Sequence, residues 1–134
     1  MSSKKKQSIQ TPLAKAKGLG SAHTGTHHWL MQRVTALAVL PLIFWVVYSM
    51  FKLQGADYLE FTTWLAQPMN AVLSILFIIA GFYHAVLGNQ VIIEDYISCK
   101  WFRMTKLIGQ KLFFIALAVA CIFSILKIAF TAGV

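Results

Sequence analysis

Charge is the first thing this sequence lacks. Of its 134 residues only 12% are Asp, Glu, Lys or Arg, and only four are acidic. A soluble domain carries about 25% charged residues, and a soluble chain this short has no core large enough to hide a composition that is 58% hydrophobic. The mean hydropathy of +0.68 agrees. The solvent for this chain is therefore a bilayer, and one small domain is expected. Cysteine is scarce too. Cys99 and Cys121 stand far apart with no CxxC spacing, which excludes a disulfide framework and a zinc site. Also missing are a nucleophile beside a base, a phosphate-binding loop, a full metal cage, internal repeats and low-complexity tracts. The chain has no complete active site of its own.

A net charge of +8 would fit nucleic acid only if the charges formed a patch. They do not. Lys4, Lys5, Lys6, Lys15 and Lys17 sit in a polar tail, and Lys100, Arg103, Lys106 and Lys111 cluster where the last two apolar runs connect. Basic residues flanking apolar runs report membrane topology and contact with lipid headgroups. No secretory signal peptide is visible, because the apolar run from Trp29 is too long for one and lacks a small-residue cleavage site. The tail contains lysines but no Arg, unlike a transit peptide, so residues 1–28 read as a basic cytoplasmic arm. The same features favour a bacterial inner membrane over a mitochondrial one.

A spanning helix needs about 20 mainly apolar residues. Three stretches qualify, over 29–51, 68–93 and 104–130, within a membrane anchor covering 29–134. Pro41 should bend the first. Between the first two, Gly55 and Asp57 suit a turn, and Tyr58, Phe61 and Trp64 suit the interface. Ten of the basic residues fall on the side of the N-terminus and only Lys52 and Lys127 on the other. The predicted fold is an all-α membrane protein with three transmembrane helices, the N-terminus cytoplasmic and the C-terminus opposite.

Ionisable groups inside a membrane are expensive, and by default mark function. His84 lies about ten residues before the acidic end of the second span, roughly 15 Å deep at 1.5 Å per residue. The plain reading is a neutral histidine bonded to a neighbouring helix. The functional reading notes Gly81 and Gly88 on the same face. They either let helices pack closely or leave a strip along which a flat macrocycle approaches while the imidazole ligates its iron. With only one deep histidine, a six-coordinate iron would need its second ligand from another polypeptide. Arg33 enters the first span just past Trp29, where it either snorkels to headgroups or clamps an anion such as a haem propionate; His27 could donate to the same carboxylates. Asp95 falls on nearly the same face as His84 if the helix continues. With Glu94 and Tyr96 it reads either as a solvated helix end or as a donor and proton route for a quinone carbonyl.

Two stretches, THHWLMQRVTAL and HAVLGNQVIIEDY, resemble the small hydrophobic membrane-anchor subunits of succinate dehydrogenase, the D subunits of respiratory complex II. The resemblance covers nearly everything from His23 to the third span. Its most specific part is the run from His84 to Tyr96 with Gly88 and Asp95 between, and the spacing of His27 and Arg33 agrees. It implies that His84 ligates haem b and that Arg33 and His27 lie near its propionates. It further implies that Tyr96 hydrogen-bonds ubiquinone beside Asp95, an acidic residue of the proton pathway. A partner anchor, the C subunit, would supply the second haem histidine and most of the quinone pocket. Flavoprotein and iron–sulfur subunits would dock on the cytoplasmic face near Lys100, Arg103 and the tail. The chain would thus be a non-catalytic subunit of an enzyme that oxidises succinate and reduces ubiquinone. The lysine-bearing tail and the doubled His27–His28 lie outside the family pattern, so either histidine could approach the haem. Two alternatives remain open: the anchor of a menaquinol:fumarate reductase, and a haem-free accessory or assembly subunit whose His84 only bonds a neighbouring helix.

Overall fold

The computed structural model of the protein describes residues 11–16 and 23–131. Most of the basic arm expected over 1–28 lies outside the described residues. What is described of it is a short helix α1 (Pro12–Ala16) and the opening turns of α2 (His23–Lys52). Then follow α3 (Tyr58–Ala66), α4 (Pro68–Tyr96) and α5 (Lys100–Thr131). The three long helices have 30, 29 and 32 residues, and each is long and apolar enough to cross a membrane. They coincide with the three expected spans but overrun them. Hydropathy marks only the part that hydrocarbon would cover, whereas polar residues such as Glu94, Lys100 and Arg103 continue a helix at little cost.

Local chemistry sets the breaks. After α2 the chain turns through Gly55, whose φ of +84° lies in the left-handed region that glycine reaches without strain. Asp57 then caps α3, its carboxylate accepting from the Glu60 amide at 2.7 Å. Asp57-x-x-Glu60 is the spacing of a capping box. Only a turn and interfacial aromatics were expected in this stretch, so α3 is an addition. Pro68 ends α3 by excluding Gln67 from helical geometry (φ −63°, ψ 130°), and it opens α4 as its first residue. Asn70 ties the joint together, donating from Nδ2 to the Trp64 carbonyl at 2.8 Å. In α2 the helix runs unbroken through Pro41.

Helix α4 is the middle of the structure. It packs against both α2 and α5, whose backbones stay apart among the described residues, while α3 leans on α4 and α5. Both seams are antiparallel. Thr35 of α2 meets His84 of α4, and Gln110 and Phe114 of α5 meet Asn89 and Phe82 of α4. Almost nothing is enclosed. The buried apolar residues are Val39, Leu65, Ala71 and Leu87, and α5 has no buried side chain. Lipid tails are as apolar as leucine, so such helices associate through small residues and polar contacts rather than through a hydrophobic core. The seam between α2 and α4 illustrates this.

Candidate functional site

His28, Gln32 and Thr35 recur at intervals of four and three along α2, so they share one face. His84 and Gly88 do the same on α4, and the two faces meet. A Cβ added at Gly88 would come within 3.3 Å of the Gln32 amide nitrogen, so glycine at 88 lets α2 approach. Gly81 differs: a Cβ there meets nothing within 4 Å. Of the two glycines flanking His84, one serves packing inside this chain and the other borders open space.

The His84 ring reaches across the seam, with Nδ1 lying 3.0 Å from the Thr35 hydroxyl oxygen. That same oxygen lies 2.8 Å from the Met31 carbonyl and 3.1 Å from the Gln32 carbonyl. A threonine hydroxyl has one proton, and in a helix it goes readily to a carbonyl three or four residues back. If that proton is directed along its own helix, Thr35 accepts from Nδ1–H. The neutral ring then holds its lone pair on Nε2, the nitrogen able to ligate a metal.

His84 opens into a cavity of about 520 Å³ whose lining includes His28, Trp29, Gln32, Arg33 and Glu94. Arg33 lays its guanidinium 4.3 Å from the centre of the Trp29 ring, a cation–π contact. It makes no ion pair among the described residues. His28 Nε2 and Gln32 Oε1 are both buried without a hydrogen-bond partner. Such orphaned polar atoms are rare in a finished structure and call for a partner. A free imidazole nitrogen, an unpaired guanidinium and an orphaned histidine nitrogen make a donor set suited to an iron porphyrin with carboxylate substituents, and on these residues the group fits. Among the described residues no three His, Cys, Asp or Glu side chains gather, so His84 offers a single ligand.

Of the residues singled out in the sequence, His84 and Arg33 line this cavity together. His27 does not line it and is exposed, whereas its neighbour His28 does. Helix α4 continues to Tyr96, so Asp95 stays on a regular helix, but both residues face outward and Tyr96 is 85% exposed. Glu94 is held by Gln90, whose Nε2 donates at 2.7 Å. Sequence reasoning missed Thr35 and Gln32, although both lie within THHWLMQRVTAL; their spacing from His28 was the available signal. It also missed a polar clamp between α4 and α5. There Asn89 Nδ2 donates to Gln110 Oε1 at 2.6 Å, and Gln110 Nε2 reaches the Val86 carbonyl at 3.4 Å.

A second cavity, of about 470 Å³, lies toward the other end of the seam under α3. Trp45 and Trp64 stack there at 5.8 Å with an interplanar angle of 19°. On its wall Ser49 donates to the Trp45 carbonyl at 2.8 Å, and the nearby Thr62 donates to the Tyr58 carbonyl at 2.9 Å.

Comparison with known proteins gives a consistent picture. A family model described as succinate dehydrogenase/fumarate reductase transmembrane subunit matches residues 7–126. The succinate dehydrogenase hydrophobic membrane anchor subunit of Rickettsia bellii (strain RML369-C) is 41% identical over 117 residues, 87% of this chain and 94% of that one. The protein of the same description from Rickettsia typhi (strain ATCC VR-144 / Wilmington) is 40% identical over 118 residues, again 87% of this chain and 94% of its own. That of Paracoccus denitrificans is 38% identical over 88 residues, 64% of this chain and 67% of its own. No solved structure matches.

Proposed function

The chain belongs to the succinate dehydrogenase/fumarate reductase transmembrane subunit family, as a membrane anchor of succinate dehydrogenase, and from that premise we propose that it ligates haem b through His84 and lends Tyr96 and Asp95 to a ubiquinone site. One observation carries the haem reading. The His84 ring has Nδ1 engaged by Thr35 while Nε2 makes no hydrogen bond among the described residues, on the wall of a cavity that also holds an unpaired Arg33 and an orphaned His28 nitrogen. When bound, haem supplies a one-electron centre inside the bilayer.

Around that group the chain has three tasks. His84 would hold the iron through Nε2, and a partner anchor, the C subunit, would supply a second ligand. Arg33 offers a planar, permanently charged fork for a propionate carboxylate, prevented from wandering by the Trp29 ring. Of the two adjacent histidines, His28 has the cavity position and the free nitrogen for the second carboxylate contact, although family resemblance points to His27. At the last turn of α4 the exposed Tyr96 hydroxyl donates to a quinone carbonyl, and Asp95 beside it relays a proton. The rest of that pocket belongs to the partner anchor.

The excess of Lys and Arg on the ends formed by the N-terminus of α2 and the α4–α5 connection sets these on the cytoplasmic side. Flavoprotein and iron–sulfur subunits dock there. The relatives are bacterial and carry the succinate dehydrogenase description, which favours a bacterial inner membrane and the succinate-oxidising direction over a fumarate reductase.

The test is optical. The purified complex is expected to show the reduced α-band of a b-type haem and to lose it, or have it shifted, in His84→Ala; an unchanged spectrum removes His84 as ligand. For the quinone role, Tyr96→Phe is expected to lower quinone reduction at least severalfold with succinate oxidation by an artificial acceptor intact. Equal losses in both assays would make Tyr96 structural.

A further inference from the structure

We infer that Thr35 is a positioning residue for His84: its hydroxyl oxygen fixes the ring in the Nδ1–H tautomer, holds its rotation, and raises the electron donation of Nε2 to the iron. This rests on the haem reading above and goes beyond it, because Thr35 meets the ring at Nδ1 and not at the nitrogen that would ligate.

Three contacts converge on one oxygen atom. The carbonyls of Met31 and Gln32 lie 2.8 and 3.1 Å from Thr35 Oγ1, and His84 Nδ1 lies 3.0 Å away on the facing helix. Both carbonyls can only accept, so the single hydroxyl proton goes to that side. The β-branched threonine has few rotamers in a helix, and one of them directs the hydroxyl back to the preceding turn. The oxygen therefore turns its lone pairs to α4 in a fixed direction, and the ring must donate to it. Were the proton to go to Nδ1 instead, Nε2 would carry hydrogen and could not ligate. One oxygen thus biases this imidazole toward the tautomer that can ligate.

The contact also has an electronic consequence. A ligating histidine whose far N–H is hydrogen-bonded is a more basic ligand, and such partners orient the ring. A more basic ligand favours the oxidised iron, so Thr35 holds the midpoint potential of the haem down. The seam supports this arrangement. Gly88, one turn along α4, lets Gln32 close in, and Gln32 supplies one of the two carbonyls that take the hydroxyl proton.

The experiment uses the intact complex with Thr35→Val, which keeps the shape and removes the oxygen, and Thr35→Ser, which keeps the oxygen and removes the methyl. The readouts are the midpoint potential of the haem and the low-spin ferric resonance, which reports the orientation of the axial rings. Thr35→Val is expected to raise the potential and to shift or broaden the resonance, while Thr35→Ser keeps both near the parent values. If Thr35→Val retains the parent potential and line shape, or if Thr35→Ser departs as far as Thr35→Val, the inference is wrong. A lowered melting temperature with an unmoved potential likewise overturns it, since that is what packing alone would give. Should Thr35→Val not assemble, Thr35→Ala decides by the same criteria. His84→Ala separates the two levels. If His84→Ala leaves the haem untouched, the ligand assignment itself falls; if it removes the haem while Thr35→Val is silent, only the positioning role falls.

Discussion

The two ends of the α2–α4 seam are built from the same kind of helix and solve different problems. Toward the α3 end the buried hydroxyls turn back onto their own backbone, Ser49 to Trp45 and Thr62 to Tyr58, and tryptophans stack across the joint. Toward the other end a histidine bonds across the seam, two buried polar atoms have no partner, and an arginine has no counter-ion among the described residues. In a medium without water an unmet polar group costs several kcal/mol, on the order of the figure for burial in hydrocarbon. A chain keeps such groups only where something from outside meets them. At the α3 end the buried hydroxyls are met within this chain; the His84 end keeps polar atoms that the proposed haem would meet.

The glycines give the strongest way to break this contrast. Gly81→Leu projects a side chain into open space, so the packing of this chain should tolerate it. If a macrocycle lies along that strip, haem content in the purified complex drops severalfold, and full haem content with Gly81→Leu would mean the strip is unused. Gly88→Leu acts on the chain itself. Overpacking against Gln32 should cost about 1–3 kcal/mol, read as a lower melting temperature, with Gly88→Ala much milder because the end of the Gln32 side chain can move aside.

At the finished end, Trp64→Ala removes the stack on Trp45, an interaction of roughly 0.5–1.5 kcal/mol beyond the area lost. A lower melting temperature with an unchanged haem spectrum is expected, and a shifted spectrum would show that the two ends are coupled. The smallest effect belongs to the clamp on the far side of α4. A double-mutant cycle of Asn89→Ala and Gln110→Ala should give a coupling near 0.6 kcal/mol and no more than about 1.7 kcal/mol, the range for polar pairs between membrane helices. A coupling of zero would leave α4 and α5 held by apolar packing alone.

Much of this was legible beforehand. Three apolar runs of the length a bilayer needs admit one arrangement, and the structure has helices there. His84 stood out as the one histidine deep in a span. The short helix α3 was legible in principle, since Asp57-x-x-Glu60 marks a helix start, but interfacial aromatics gave no period to confirm it. Thr35 was not legible. A hydroxyl in a membrane helix can always satisfy itself on its own backbone, so its type says nothing about what faces it. Nor could the sequence choose between His27 and His28. Neighbouring positions on a helix point about 100° apart, and which one faces the seam depends on where α2 begins and how it is rotated.

Composition and hydropathy alone determined the three long apolar helices and put His84 within the second, because transfer into hydrocarbon depends on each residue and its neighbours along the chain. The register of α2 against α4 decided the rest. Only that register puts the Thr35 oxygen on Nδ1, Gln32 over Gly88 and open space at Gly81, because contacts between helices depend on rotation and offset, which no single helix encodes.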